Sequence, residues 1–170
     1  MLLEMIDLDK LRRILAYAGI MLLVLMVQEM FLSRITVFGV RAMIVPLFPV
    51  ALGMFQGGWW GMGFGLACGM LCDAMMAESL ILFTVLMPLL GFLATAAERF
   101  LISRRLIAYF AAGVCALLFT ALAQGLRVLV LYNGEPLALL RVALLQTLYS
   151  VPFVFAMFYP CRALSERALA

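Results

Sequence analysis

Histidine is absent from the 170-residue chain, and Lys10 and Asn133 are its only lysine and asparagine. Charged residues make up only 12% of the sequence, whereas hydrophobic residues make up 68%. A soluble domain is about half apolar and about a quarter charged, so this chain has too few charges to cover a globule in water. The formal net charge of +3 is too small to indicate a nucleic-acid partner. The composition therefore predicts an integral membrane protein without a soluble catalytic domain.

The missing histidine also excludes common catalytic and metal-binding arrangements. No Ser-His or Cys-His nucleophile and no H-E-x-x-H zinc site can form without it. Lys10 lies outside any glycine-rich loop, so the sequence has no phosphate-binding P-loop. The cysteines all fall in apolar runs, where we expect small hydrophobic residues: Cys68, Cys72, Cys115 and Cys161. We expect no metal, no cofactor and no enzymatic activity, and a lipid-modifying enzyme that relies on a carboxylate is the least favoured alternative.

Hydrophobic runs separated by charged residues or by Gly and Pro predict six transmembrane helices in one all-α membrane domain. Their approximate bounds are residues 14–32, 38–55, 57–73, 79–97, 106–131 and 137–161. Pro46 and Pro49 remove backbone donors from the second run, so we expect a kink there. The second and third runs are joined only by Gln56, Gly57 and Gly58, which predicts an antiparallel hairpin.

The distribution of Lys and Arg predicts the orientation, because cytoplasmic connections are enriched in them. With the N-terminus inside, the segments outside the predicted spans hold eight basic residues on the cytoplasmic side and two on the outer side. The cytoplasmic residues are Lys10, Arg12, Arg13, Arg99, Arg104, Arg105, Arg162 and Arg167, and the outer residues are Arg34 and Arg41. Both termini are therefore predicted to be cytoplasmic.

The third run carries a row of glycines at every fourth position, Gly57, Gly61, Gly65 and Gly69, and Asp73 takes the next step. Residues four apart are neighbours on a helix, so the row forms a slanting groove without Cβ atoms, which another backbone can approach closely. Two interpretations stay open. The groove packs against the second or fourth helix of the same chain, or it docks a helix of a partner. Under the second interpretation, we expect Gly65→Leu or Gly69→Leu to abolish co-purification with the partner, whereas the variant still inserts into the membrane.

A second feature is a set of charges within or at the edge of the predicted spans: Glu29, Asp73, Arg127 and Arg141. In the predicted topology all four lie toward the outer side of the membrane. Because a charge within the bilayer is costly, two acids and two bases at one depth can neutralise each other and fix the helix register or bind a partner. Alternatively, the arginines extend to the lipid headgroups and Glu29 faces water.

A pattern of proline, glycine and aspartate runs through residues 46–92. It consists of Pro46, the turn L-G-M-F-Q-G at 52–57, Gly61, the segment G-L-A-C-G-M-L-C-D at 65–73, and Gly91-Phe92. This pattern resembles the MreD family of bacterial rod-shape-determining membrane proteins. Leu66 and Met70 differ from the Phe and Leu that are common in the family. Chain length and span count agree with the family over the whole sequence.

The resemblance implies a non-catalytic subunit of the cell-elongation machinery in the bacterial inner membrane. Such a subunit binds an MreC-like membrane protein and, through it, couples to RodA, to the penicillin-binding partner of RodA and to MreB filaments. The family fold is similar to the six-helix substrate-binding S-components of energy-coupling-factor vitamin transporters. Vitamin binding is therefore the alternative function, although Asn and Gln side chains that would line a polar outer pocket are scarce here.

Overall fold

The computed structural model describes residues 8–32, 34, 36–37, 40–75, 81–100, 105–132 and 136–167. Within these ranges the chain forms six α-helices, as the predicted fold class requires, and one pair of very short strands. The helices are α1 (Leu8–Val27), α2 (Leu47–Gln56), α3 (Gly58–Met75), α4 (Leu82–Phe100), α5 (Arg105–Tyr132) and α6 (Pro136–Arg167). A π-helical turn (Gln28–Leu32) continues α1, and strands β1 (Thr36–Val37) and β2 (Val40–Arg41) pair antiparallel.

Three helical stretches in the described part of the chain are long and apolar enough to cross a membrane: Lys10–Leu32, Leu106–Leu126 and Leu137–Ala163. Two shorter apolar helices accompany them, Leu47–Gln56 and Leu82–Ala97. The 18 residues of α3 are roughly 27 Å long at 1.5 Å per residue. The helices are thus of very unequal length.

The short helix α2 lies at the centre of the bundle. Every residue from Leu47 to Met54 is buried, and α3, α4, α5 and α6 all pack against it. A helix that is apolar on every face is stable only when neighbours surround it, which explains this position. Around α2, the closest pairs are α3 with α4 and α5 with α6, whereas α1 touches α3 over a short stretch only.

The predicted second span, residues 38–55, is wrong as a continuous helix. Residues 40–41 form β2, residues 42–44 lack helical structure, and α2 begins only at Leu47. Its 10 residues measure about 15 Å, half of the ~30 Å hydrocarbon core of a bilayer. The long apolar run therefore combines non-helical chain with a half-length helix.

The predicted kink at Pro46 and Pro49 is also wrong. Pro46 is the N-cap of α2 and Pro49 is its third residue. Amide groups in the first turn of a helix have no carbonyl partner within it, so proline there removes no helical hydrogen bond. Both prolines mark the start of the helix instead of bending it.

The connection between α2 and α3 is a single residue, within the predicted connector. Gly57 adopts φ +98°, a backbone conformation that residues with a side chain rarely adopt. Its carbonyl accepts hydrogen bonds from the amides of Trp60 (3.1 Å) and Gly61 (3.2 Å). The turn therefore places α3 directly beside α2.

Candidate functional site

Backbone contacts along the glycine row hold α3 against its neighbours. A Cβ atom on Gly61 would lie 2.6 Å from the Cα of Gly53 in α2 and 3.0 Å from the carbonyl oxygen of Gly91 in α4. On Gly65 it would lie 2.8 Å from the carbonyl oxygen of Met87. Ordinary contacts of a Cβ begin near 3.4 Å, so the glycines allow an approach that no other residue permits.

Gly69 continues this contact toward the start of α4. A Cβ there would lie 2.7 Å from the carbonyl carbon of Phe83 and 2.8 Å from the Cα of Thr84. On the side of α2, the hydroxyl of Thr95 donates a hydrogen bond to the carbonyl of Gly53 at 2.8 Å. We call the contact formed by Gly61, Gly65 and Gly69 with α2 and α4 the glycine seam.

The glycine seam decides between the two interpretations of the glycine row. At Gly61, Gly65 and Gly69 the groove is filled by the chain's own α2 and α4, so the docking of a partner helix at these positions is excluded. Gly57 does not belong to this face, because it forms the turn before α3. Leucine at Gly65 or Gly69 would collide with the α4 backbone, and loss of a partner from such a variant would not identify a docking surface.

Asp73 ends the glycine row and binds the first turn of α4. Its carboxylate accepts hydrogen bonds from the amides of Phe83 (3.2 Å) and Thr84 (2.8 Å) and from the Thr84 hydroxyl (2.7 Å). Amides in a first helical turn lack partners within the helix, and the positive end of the helix dipole attracts an acidic side chain there. Asp73 therefore acts as a cap that α3 supplies to α4.

The other members of the predicted charge cluster lie on different elements. Glu29 is half-buried in the π-helical turn, and Arg141 is exposed near the start of α6. The side chain of Arg127 lies outside the described residues. The described hydrogen bonds of Asp73 all go to residues of α4 and involve no arginine. The pairing of the remaining charges stays a prediction.

Two uncharged side chains bind the backbone between β2 and α2. Gln28 donates from Nε2 to the carbonyl of Ala42 at 3.0 Å and accepts from the amide of Ile44 at 2.9 Å. The hydroxyl of Ser150, in α6, accepts from the amide of Met43 at 2.9 Å. We call Gln28 and Ser150 the polar clamp.

The polar clamp satisfies backbone groups that have no helix or sheet to bind them. Residues 42–44 are buried, and a buried amide or carbonyl without a partner costs about 1–3 kcal/mol. Gln28 lies in the π-helical turn, a local widening of a helix that often occurs where a side chain has a specific task. The clamp therefore ties α1 and α6 to the chain that leads into α2.

Further amides continue this polar region between α5 and α6. Gln146 donates to the side-chain oxygen of Gln124 at 3.3 Å, and Gln124 donates to the sulfur of Met43 at 3.4 Å. Sequence reasoning missed these glutamines and the polar clamp. A signal for them existed, since an isolated polar residue in an apolar run needs a buried hydrogen-bonding partner.

The side chains at the site are engaged in holding the chain together. Asp73 binds the first turn of α4, and the residues of the polar clamp bind the backbone of residues 42–44. In the described ranges, no three His, Cys, Asp or Glu side chains come together as metal ligands. The described hydrogen bonds thus explain the site as structural support for α2 and α4.

Comparison with known proteins gives no relative for this arrangement: the chain matches no family model, no curated protein and no solved structure.

Proposed function

We propose that the chain crosses the bacterial inner membrane six times, with both termini in the cytoplasm, in a bundle similar to the vitamin-transporter S-components. The basic residues of the connections support this orientation. The second span is the short one: residues 42–44, which are not helical, add at most about 10 Å to the roughly 15 Å of α2, so together they reach about 25 Å of the ~30 Å hydrocarbon core.

The polar clamp fits this topology, because non-helical backbone at membrane depth is tolerated only where protein groups satisfy it. Gln28 and Ser150 supply those groups to residues 42–44. In this proposal the second span consists of a short non-helical segment followed by the helix α2, and it is held between α1 and α6.

We further propose that the protein is a non-catalytic scaffold subunit of the cell-elongation machinery that binds an MreC-like partner. One observation carries this proposal: the pattern that resembles the MreD family folds as one unit. Pro46 starts α2, Gly57 turns the chain, the glycine seam joins α2, α3 and α4, and Asp73 caps α4. Pro46, Gly57, the glycines of the seam and Asp73 thus each have a structural role, as expected for a rigid subunit that orients other proteins.

Because the glycine seam is internal, the partner binds elsewhere on the bundle. The resemblance supplies the further members of the assembly, which are RodA, its penicillin-binding partner and MreB, all reached through the MreC-like protein. The seam then contributes indirectly, by keeping three helices in a fixed arrangement.

Affinity purification from native membranes tests the proposal. The chain, tagged and solubilised in mild detergent, is expected to retain an MreC-like single-span protein and cell-elongation synthases. A multi-pass protein of unrelated function with the same tag is the control. Retention of a vitamin-sized molecule in native mass spectrometry, together with transporter ATPases, would favour the S-component alternative. Recovery of neither set would refute the scaffold proposal.

A further inference from the structure

A groove runs between α1 and α3 on the outside of the bundle, away from the glycine seam. Its volume is about 400 Å³, and its lining consists of Ile14, Trp59, Trp60, Gly63, Phe64 and Ala67. Trp59 is 87% exposed. Apart from the neighbouring backbone of α3, no atom of the described residues lies within 4 Å of the place where a Cβ of Gly63 would be. The groove is therefore open and apolar.

One wall of the groove is a rigid aromatic surface. The rings of Trp60 and Phe64 stack at 6.1 Å with an interplanar angle of 11°. Tyr17 packs against both, with centroid distances of 6.3 Å to Trp60 and 6.1 Å to Phe64. The Tyr17 hydroxyl accepts a hydrogen bond from Gln56 at 2.8 Å. This fixed wall is suited to an apolar chain that lies along it.

The shape and lining of the groove suit a narrow apolar occupant. From Trp59 to Ala67 the helix rises roughly 12 Å, and the side chains along this length are apolar. An acyl chain is apolar and thin enough to lie along a groove of this length.

Two basic residues lie at the end of the groove where α3 begins. Lys10 precedes Ile14, which lines the groove, by four residues, and Arg13 precedes Tyr17, which packs behind the aromatic wall, by four. Each therefore lies one helical turn, about 6 Å, below that residue and on the same side of α1. Arg12 lies on roughly the opposite side of the helix, since successive residues are about 100° apart.

We propose that this groove binds an anionic phospholipid, with an acyl chain along Gly63 and Ala67 and the phosphate at Lys10 and Arg13. The charge of the two basic residues complements that of the headgroup, and basic residues between membrane helices recognise anionic lipids in this way. Tryptophan at the same level is typical of the membrane interface. The proposal goes beyond the scaffold function and requires only that α1 and α3 lie in a bilayer.

Tryptophan fluorescence reads this groove directly, because Trp59 and Trp60 are the only tryptophans in the chain. The full-length protein carrying Trp59→Phe, which isolates Trp60, is reconstituted in phosphatidylcholine nanodiscs. Increasing fractions of phosphatidylglycerol or phosphatidylcholine with brominated acyl chains are then added as quenchers. Each basic side chain near the headgroup favours the anionic lipid about fivefold at low salt. We expect brominated phosphatidylglycerol to quench half of the Trp60 fluorescence at a mole fraction about 5- to 25-fold lower than brominated phosphatidylcholine does.

Matched variants assign the preference to the groove. Lys10→Gln with Arg13→Gln is expected to remove it, whereas Arg12→Gln retains it. Gly63→Leu places a side chain in open space and should reduce quenching of Trp60 by both lipids without unfolding the protein, which circular dichroism checks.

Three outcomes would overturn the proposal. The first is equal quenching by both lipids, and the second is a preference that survives the loss of Lys10 and Arg13. The third is displacement of phosphatidylglycerol from Trp60 by one equivalent of a co-reconstituted single-span partner, which would assign the groove to a helix.

Discussion

One added methyl group at Gly65 tests the backbone contact between α3 and α4. A Cβ there would lie 2.8 Å from the carbonyl oxygen of Met87, about 0.6 Å closer than the 3.4 Å at which ordinary contacts begin. The obstacle is backbone, so α4 itself has to move. Overpacking of this kind costs about 1–3 kcal/mol of unfolding free energy.

Gly63→Ala is the matched control for Gly65→Ala. Gly63 lies two residues away on α3 and has open space at its Cβ position. Alanine is a better helix former than glycine by about 1 kcal/mol at either position. The difference between the two variants therefore isolates the contact, and we expect Gly65→Ala to be the less stable by about 1–3 kcal/mol.

The assay is thermal or denaturant unfolding of both variants in the same detergent. For a chain of about this size the difference corresponds to roughly 2–12 °C in the midpoint. Equal midpoints for Gly65→Ala and Gly63→Ala would mean that α4 does not touch α3 at Gly65, and the glycine seam would be refuted.

Substitutions at Gln28, Ser150 and Asp73 test the polar clamp and the cap in the same unfolding assay. Gln28→Leu leaves two buried backbone groups without partners and should lower the unfolding free energy by about 2 kcal/mol or more; a neutral result would contradict the clamp. Ser150→Ala should cost about 1–3 kcal/mol, because it leaves the buried Met43 amide without a partner. Thr147→Val should cost less, because the described hydrogen bond of the Thr147 hydroxyl lies within α6. Asp73→Ala should cost about 0.5–2 kcal/mol, and Asp73→Asn less because one acceptor remains; equal losses from both would show that hydrogen bonding to α4 is not what Asp73 provides.

The helical fold could be predicted because composition and long apolar runs depend on local sequence. The bounds of α5, Arg105–Tyr132, lie within one residue of the predicted run 106–131. The second span could not be predicted in this way. Its hydropathy is the same whether the chain is extended or helical, and Gln28 and Ser150, which stabilise the non-helical part, are 14 to 107 residues away from the groups they bind.

The glycine row predicted that another backbone approaches α3 closely, but not which backbone it is. A missing Cβ permits any backbone to come near, and only the fold brings Gly53 and Gly91 to Gly61. Asp73 is a similar case. Its position at the end of the row could be read from residue spacing, whereas its role as a cap depends on where α4 begins. Residue spacing thus predicted the surface, and the chain's path determined what covers it.

The most direct test of the account measures how much MreC-like partner is retained per folded molecule in wild type and in Gly65→Ala. Folded protein is quantified by size-exclusion chromatography before native-membrane complexes are compared. Because the glycine seam is a contact of α3 with α2 and α4 of the same chain, we predict the same partner yield per folded molecule in both. A Gly65→Ala protein that is fully folded but retains no partner would contradict the account.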